Sequence, residues 1–395
     1  MSALTTEQIV KILSMPKIGR KTAMKLIKAI SFKISNDNDL MDFINENGKG
    51  LRLPSYSIEE FVLAFERAEQ ILLDSEKEGI KLVNFQEDTF PKLLLQTNDC
   101  PIVLNYKGDI SKLNETPSVA LIGTREPTNF GAKFGTRLGE VFAEQKFNIV
   151  SGLAVGCDTA GHRGALNAKG LTTAVLAHGL DKVYPKENKE LAKEILDSGG
   201  LLVSEYFVRQ NALSNFFVER DRIQAGLSLG VIVIETGIKG GTMHTVRFCL
   251  ENNRPLATLN HPTEHLWESK TQGNQLLIRE RKAIPIFQKS EVDTLMNNLR
   301  AFFIQGSYKT ETKITSKDTN IDIDVVVNIP EQRKETVFVI NTFLDGKKPN
   351  DTTQGAISEK EEKENGITKS KLKGKGKKTT KKDDKVNPKQ PKLWD

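Results

Sequence analysis

The sequence predicts an α/β fold, with an extended Rossmann-like parallel sheet as its core, a small N-terminal helical domain and a disordered basic C-terminal tail. The first observation is that short β-branched runs alternate with helix-length segments between Ser118 and Pro262. Each run is too short and too apolar for a half-exposed strand, so a buried parallel sheet fits best. The second is that small residues follow several runs, among them Gly123, Gly179 and Gly240. A strand, a glycine-rich turn and a helix expose backbone N–H groups at the carboxyl edge of a sheet, where anions bind.

The predicted strands fall into a lead-in pair and a core set. Residues 81–85 and a second run within 101–109 are expected to extend the core sheet. The first core strand is followed by a helix predicted over 131–145, which makes a strand–turn–helix unit. The apolar runs that predict the core strands are Val119–Ile122, Ile149–Val150, Thr173–Leu176, Leu201–Val203, Val231–Ile234 and Leu256–Leu259.

Composition divides the chain into four segments. These are a helical domain over 1–80, the Rossmann-like core over 81–300, a weakly structured extension over 301–350 and a disordered lysine-rich tail over 351–395. The net charge is +6, but the last thirty residues alone carry eleven Lys and three Asp, so the body is near neutral. Such a tail suggests a polyanion partner, or only a solvated, solubilising segment. The lysines of this tail that could make secondary contacts with a polyanion such as DNA are Lys377, Lys378, Lys381 and Lys382.

Several functional classes are excluded by the same inspection. No apolar run approaches the roughly 18 residues that a membrane-spanning helix needs, so no membrane partner is expected. The start MSALTTEQIVK lacks the basic and apolar regions of a signal peptide. The three cysteines form no CxxC pair, which indicates a reduced, cytoplasmic setting. His261 and His265 are separated by Pro262 and do not suggest a ligand pair, so no metal and no cofactor are predicted.

The segment ILSMPKIGRKTAMKLIKAI in the first 80 residues predicts two helices joined by a tight turn. It resembles a helix-hairpin-helix, in which a glycine turn exposes backbone N–H groups to a nucleic-acid phosphate. Gly19 and Lys21 are therefore candidate secondary DNA contacts. A hairpin used only for packing has the same pattern, and that alternative stays open. A further helix is predicted over Phe61–Asp74 from its apolar spacing.

The turn Gly123-Thr124-Arg125 after the first core strand excludes two common nucleotide sites. A dinucleotide fold needs GxGxxG here, and the next glycine is Gly131. The sequence also contains no GxxxxGK[ST] phosphate loop, so ATP hydrolysis is not expected. Thr124 and Arg125 stand where side chains meet an anion, and arginine offers a planar fork to phosphate. Pairing of Arg125 with Glu126 is the alternative.

A second small-residue turn, Ser151 to Gly156, runs into a helix that carries Asp158 and His162. Residues four apart lie on one helix face, so these two are candidates for an acid/base pair. An aspartate in the first turn of a helix also offsets the helix dipole. The structural role is the favoured interpretation.

The order of motifs resembles that of one family. GTR, SGLAxGxDxxxH, GLDxxYPxxN, RxRIxAGLS and QGNQLLI follow one another, after a lead-in FPKLLLQTNDCPIVLNYKGD. This order is similar to that of the DNA-processing protein A (DprA/Smf) family and covers about residues 85–287. The resemblance implies a Rossmann-like core that binds single-stranded DNA without a catalytic cycle, forms a homodimer and loads a RecA-type recombinase during uptake or recombination.

The resemblance also implies a set of binding residues. Arg125, Lys186, Arg220 and Arg222 would line the strand-binding pocket. The backbone or hydroxyl groups that would meet phosphates belong to Ser151, Gly152 and Gly156. The sequence departs from the family in the triplet RDR, which places Asp221 beside these arginines where RNR is usual. The affinity for DNA is therefore expected to differ.

Aromatic residues near this edge are few, and the candidates for stacking on bases are Phe130, Tyr184, Phe216 and Phe217. Single-strand binders commonly stack bases on aromatic rings. With few such rings, binding is expected to depend on phosphates, with poor sequence discrimination and a steep loss of affinity with salt.

Two other functions remain open on the same scaffold. A phosphoribohydrolase of the lonely-guy type uses a glutamate in a GGxGTxxE loop, and Gly240-Gly241-Thr242 here lacks a glutamate at that position. Without that carboxylate there is no obvious general acid or base, so an enzyme is not predicted. A module that senses a small nucleotide is the other alternative, because it too would bind phosphates at this edge.

Overall fold

The computed structural model describes residues 4–311 of the chain. The predicted tail, including Lys377, Lys378, Lys381 and Lys382, lies outside the described residues. Within 4–311 no helix is both long and apolar enough to cross a membrane.

Residues 4–80 fold mainly as helices, as the apolar spacing predicts. Two of the helices begin with capping boxes, in which Thr5 pairs with Gln8 and Ser57 with Glu60. These reciprocal bonds satisfy N–H groups that a helix start leaves without partners. The helices are α1 (Thr6–Ser14), α2 (Arg20–Ala29), α3 (Asp37–Gly48) and α4 (Ile58–Lys77).

A nine-stranded sheet forms the centre of the described region, in the order β1-β2-β6-β5-β4-β3-β7-β8-β9. The seven strands from β6 to β9 in that order are parallel, and β2 joins β6 antiparallel. The strands are β1 (Lys81–Asn84), β2 (Val103–Lys107), β3 (Ser118–Ile122), β4 (Asn148–Ser151), β5 (Thr172–Leu176), β6 (Leu201–Ser204), β7 (Val231–Val233), β8 (Leu256–Leu259) and β9 (Ile284–Ile286). Each predicted core run overlaps one of these strands, so the Rossmann-like fold class is confirmed.

Helices cover both faces of this sheet. They are α5 (Lys92–Leu95), α6 (Lys112–Glu115), α7 (Asn129–Glu144), α8 (Cys157–Asn167), α9 (Lys189–Asp197), α10 (Ser214–Gly226), α11 (Thr242–Glu251), α12 (Gln272–Arg279) and α13 (Lys289–Glu311). The predicted boundary at residue 300 falls inside α13, so the first residues of the predicted extension are helical. The chain leaves β3 toward β4 on one side and later returns to β7 on the other, which makes the β3/β7 boundary a topological switch point. Ligands of doubly wound sheets bind at such points.

The helices α1–α4 pack directly against the sheet region. Ile18 and Ile27 share one buried hydrophobic cluster with Ile102 and Val103, which stand on the other side of residue 80 in sequence. All described residues belong to one compact unit. The predicted boundary at residue 80 is therefore not a break in packing.

Candidate functional site

Loops from four strands meet at the switch point and enclose two adjoining cavities of about 400 Å³ each. The first lies between the turn after β3 and the segment that joins β7 to α11. The second lies between the turn after β4 and the loop that follows β5. Residues that line both are Arg125, Ala154, Phe217 and Arg220. We call the two cavities together the switch-point cleft.

Arg125 and Thr124 enter the cleft from the turn after β3. The Thr124 N–H donates to the carbonyl of Glu235, 2.7 Å away at the end of β7, which fixes this turn at the switch point. The Arg125 side chain is exposed, and its guanidinium lies over the Phe217 ring, 5.5 Å from the centroid. Glu126 instead faces Lys270 at 3.9 Å. The alternative in which Arg125 pairs with Glu126 is therefore not what the structure shows.

Arg220 forms the buried floor of the cleft. Its Nη1 donates to the carbonyl of Val175 in β5 at 2.6 Å, and its Nε lies 3.3 Å from Oδ1 of Asp221. The turn after β4 passes directly beneath the guanidinium, because a Cβ on Gly152 would collide with Nη1 of Arg220. Glycine at position 152 thus allows the closest approach of backbone to this cation.

Gly156 closes the same turn against the turn after β3. Its φ is +86°, and a Cβ there would collide with the carbonyls of Thr124 and Arg125. Asp158 then accepts hydrogen bonds from the N–H groups of Gly152 (3.1 Å) and Ala154 (3.2 Å). The carboxylate thus holds the turn in shape from the first turn of α8.

Lys186 and Tyr184 line the second cavity from the opposite wall. Both are exposed, and the Tyr184 ring lies 5.9 Å from that of Phe217. The loop that carries them is anchored by Asn188, whose Nδ2 donates to the carbonyl of Leu153 at 2.8 Å. Two aromatic rings and a lysine therefore face the same space as Arg125 and Arg220.

Asp221 brings a carboxylate into the first cavity. Burial raises its pKa to about 6, although the charge of Arg220 and a hydrogen bond from Thr245 oppose the rise. The cleft thus holds an acid that changes its charge near neutral pH. Its Oδ1 lies 3.3 Å from Nε of Arg220, the arginine that would meet a phosphate.

A family model for DNA recombination-mediator protein A matches residues 81–299, which is more than half of the chain. The chain belongs to this family.

Two relatives within the family are identical to the chain at about a third of the matched positions. Protein Smf of Escherichia coli (strain K12) is 33% identical over 211 residues, which are 53% of this chain and 55% of that protein. DNA processing protein DprA of Streptococcus pneumoniae is 33% identical over 233 residues, 59% of this chain and 80% of that protein. The matched part of the chain thus spans 55% of the length of the Smf protein and 80% of the length of DprA.

A solved structure extends the match to the fold. The X-ray structure of DprA from Streptococcus pneumoniae superposes with a TM-score of 0.62 at 29% identity. The match covers 74% of this chain and 98% of that one. The likeness therefore reaches beyond the residues matched by the family model.

Ser151 and Gly152 differ from what the family resemblance implies. Ser151 is buried and its hydroxyl donates to the carbonyl of Leu121 at 2.6 Å. The Gly152 N–H is engaged by Asp158, as described above. These groups shape the turn, and both are already hydrogen-bonded within the protein.

The side chains of Asp158 and His162 have different hydrogen-bond partners. His162 is buried, its Nδ1 lies 2.7 Å from the Thr172 hydroxyl, and burial lowers its pKa to about 3. Because that hydroxyl donates to the carbonyl of Ile149, it must accept from the His162 Nδ1–H. The favoured structural interpretation of this pair fits these contacts.

Arg222 does not join Arg220 in the cleft, contrary to the family-based prediction. It is buried, pairs with Glu205 and lies 3.3 Å from Asp99. Residues two apart on a helix point in nearly opposite directions, so α10 cannot turn both arginines to one side. Lys21 lines a separate cavity with Arg222.

The predicted hairpin turn faces the sheet region. Gly19 caps α2, and a Cβ there would meet nothing within 4 Å, so the position does not demand glycine. The next residue, Arg20, lies 2.8 Å from Asp99 and 3.4 Å from Glu205. These contacts match a packing hairpin, and DNA contact by Gly19 and Lys21 stays a prediction.

Two of the four aromatic candidates lie in other contacts. Phe216 stacks on Tyr206 at 4.0 Å and Phe130 on His265 at 4.7 Å between ring centroids.

Sequence reasoning missed the network of Arg20, Asp99 and Glu205 entirely. Its members are up to 185 positions apart, and no local pattern marks them.

Proposed function

We propose that this chain binds single-stranded DNA in the switch-point cleft and acts as a recombination mediator without a catalytic cycle. The observation that carries the proposal is the convergence of Arg125, Lys186 and Arg220 with the rings of Phe217 and Tyr184. Cations that follow a phosphate backbone, combined with aromatic rings for the bases, are the pattern of single-strand binding.

The geometry favours a single strand over a duplex. Phe217 and Tyr184 can stack only on bases that are unpaired and turned out of a helix. Each cavity, at about 400 Å³, suits a nucleotide or two rather than a double helix. A planar guanidinium can meet two phosphate oxygens at once, so Arg125 and Arg220 suit the backbone between two such nucleotides.

Membership of the family supports the wider role. The chain would protect incoming or exposed single-stranded DNA and load a RecA-type recombinase onto it, as in natural transformation. A homodimer in the cytoplasm is part of the same proposal. Loading is tested by whether the protein accelerates recombinase filament formation on strands that a single-strand-binding protein already covers.

The decisive experiment is fluorescence anisotropy with a labelled oligo-dT, beside a duplex of equal length, across a salt series. Wild type is compared with Arg125→Ala/Lys186→Ala and with a chain that ends at Asn365. We expect tight single-strand binding that the double substitution weakens at least a hundredfold. Three phosphate contacts predict a slope of log affinity against log salt of about −2.

Two outcomes would overturn the proposal. Binding that does not change from low to high salt would exclude phosphate recognition. If only the shortened chain lost binding, the tail would be the DNA-binding element. The cleft would then be available for a mononucleotide, which the same instrument tests with a labelled nucleotide.

A further inference from the structure

A third cavity, of about 260 Å³, lies away from the cleft between α2, the segment before β2 and α11. It shares no lining residue with the switch-point cleft. Its lining residues are Lys21, Thr97, Asn98, Asp99, Arg222, Phe248, Glu251 and Asn252.

Arg222 is the buried cation of this cavity. Its side chain is 4% exposed. Nη2 pairs with Glu205 and Nε lies 3.3 Å from Asp99, but neither Nε nor Nη1 has a hydrogen-bond partner in the described part of the protein. A buried donor without a partner is costly, because it has lost its water and gained nothing in exchange. An acceptor placed in the cavity would meet this need.

Lys21 supplies a second positive charge. It stands in the first turn of α2 and forms no ion pair within residues 4–311. The helix start carries no side-chain cap at Gly19, and the positive end of the helix dipole favours an anion nearby.

The two carboxylates of the cavity are already balanced by other cations. Asp99 lies 2.8 Å from Arg20 in addition to Arg222. Glu251 faces Arg247 at 3.6 Å. Arg20 and Arg222 together offset Asp99 and Glu205. Among the described residues, Lys21 is therefore the cation of this cavity that no ion pair offsets, and Arg222 contributes unpaired donor groups rather than an unpaired charge.

We infer that this cavity is a second phosphate site, in which Lys21 and Arg222 donate to the oxygens of one phosphate group. The group is either a phosphodiester of a bound strand or free inorganic phosphate. Binding of a strand phosphodiester in this cavity rests on the proposed function, whereas binding of free inorganic phosphate does not. A bound phosphate would join α2 to the sheet region through α10.

The test compares Lys21→Met with Lys25→Met, a matched change at an exposed lysine one turn further along the same helix that does not line the cavity. Methionine keeps most of the alkyl chain and removes the charge. The first arm measures the melting temperature in inorganic phosphate against chloride at equal ionic strength. At ten times the dissociation constant we expect a rise of about 2–4 °C in wild type and in Lys25→Met, and none in Lys21→Met.

The second arm measures oligo-dT affinity across salt for the same proteins. If a strand supplies the phosphate, Lys21→Met weakens binding about three- to tenfold and lowers the salt slope by about 0.7. Arg222→Gln with Glu205→Gln, which removes the buried pair together, is expected to give the same loss in whichever arm responds.

The two arms distinguish a strand from free phosphate as the source of the phosphate group. They also distinguish failure of this inference from failure of the proposed function. A Lys21-dependent melting shift without an effect on DNA supports free phosphate, and an effect on DNA supports the strand. If Lys21→Met behaves as Lys25→Met does in both arms, the inference is wrong, even where wild type binds DNA through Arg125 and Lys186. If wild type binds no DNA, the proposed function fails, and a Lys21-dependent phosphate shift still supports this site.

Discussion

The guanidinium carbon of Arg125 lies 5.5 Å from the centroid of the Phe217 ring. This distance is within the range of a cation–π contact, which holds the arginine over the aromatic face. The residue that would meet a phosphate is thus positioned by the residue that would meet a base. In the proposed function, recognition of backbone and base in the cleft would therefore be coupled.

Phe217→Leu is expected to weaken oligo-dT binding about tenfold or more. The change removes a stacking surface, worth about 1–3 kcal/mol per base, and releases Arg125. Anisotropy titrations measure the loss. Phe216→Leu is the control, because its ring packs on Tyr206 outside the cleft. Equal losses in both variants would show that the effect is on stability rather than on stacking.

Gly152→Ala is expected to reduce DNA affinity at least tenfold while the protein remains folded. The new methyl group would collide with the guanidinium of Arg220 and with the Gln224 side chain, so the arginine must move. Gly50→Ala, where a Cβ meets nothing within 4 Å, should bind as wild type does. Circular dichroism and the same titrations distinguish the two. If Gly152→Ala bound oligo-dT as tightly as wild type does, Arg220 would not contact the DNA.

The sequence predicted the sheet because its strands are buried on both faces, as the runs around β3 and β5 are. It did not reveal β9, whose three residues include Pro285 and are mostly exposed. A proline in so short a run argues against a strand, and only the edge position permits it.

The positions of the candidate site residues in the fold were also predicted only in part, and the reason is again physical. Arg125 and Gly152 follow strand ends, so their place at the carboxyl edge depends on fold class alone. Arg222 was misplaced although helical periodicity was enough to separate it from Arg220. The contacts of Arg20 could not have been found, because tertiary packing alone brings it to Glu205.

Asp221→Asn is expected to raise DNA affinity at pH 7.5 by about fivefold. The ionised carboxylate offsets the charge of Arg220, an effect on the order of 1 kcal/mol. Since its pKa is about 6, lowering the pH to 5.5 should protonate it and strengthen binding in wild type. His244 lines the same cavity, so the comparison with the asparagine variant isolates the carboxylate. If DNA affinity changed equally with pH in wild type and in Asp221→Asn, the Asp221 carboxylate would not be the cause of the pH dependence.

His162 should make the protein less stable in acid. Its pKa is about 3 when folded and about 6.5 when unfolded, so the unfolded state takes up the proton first. The stabilisation is present above pH 6.5 and is lost as the pH falls toward 3. Between pH 7.5 and 5 the free energy of unfolding should drop by about 2 kcal/mol more in wild type than in His162→Gln. Urea titrations at the two pH values measure this difference.

The hydrophobic cluster that Ile18 and Ile27 share with Ile102 and Val103 makes the N-terminal helices part of the same folding unit as the sheet. A chain that began at residue 81 would leave Ile102 and Val103 open to water and Glu205 without Arg20. Such a truncated protein should aggregate rather than behave as a free-standing core. Swapping these helices between relatives would require exchanging the surface beneath them as well.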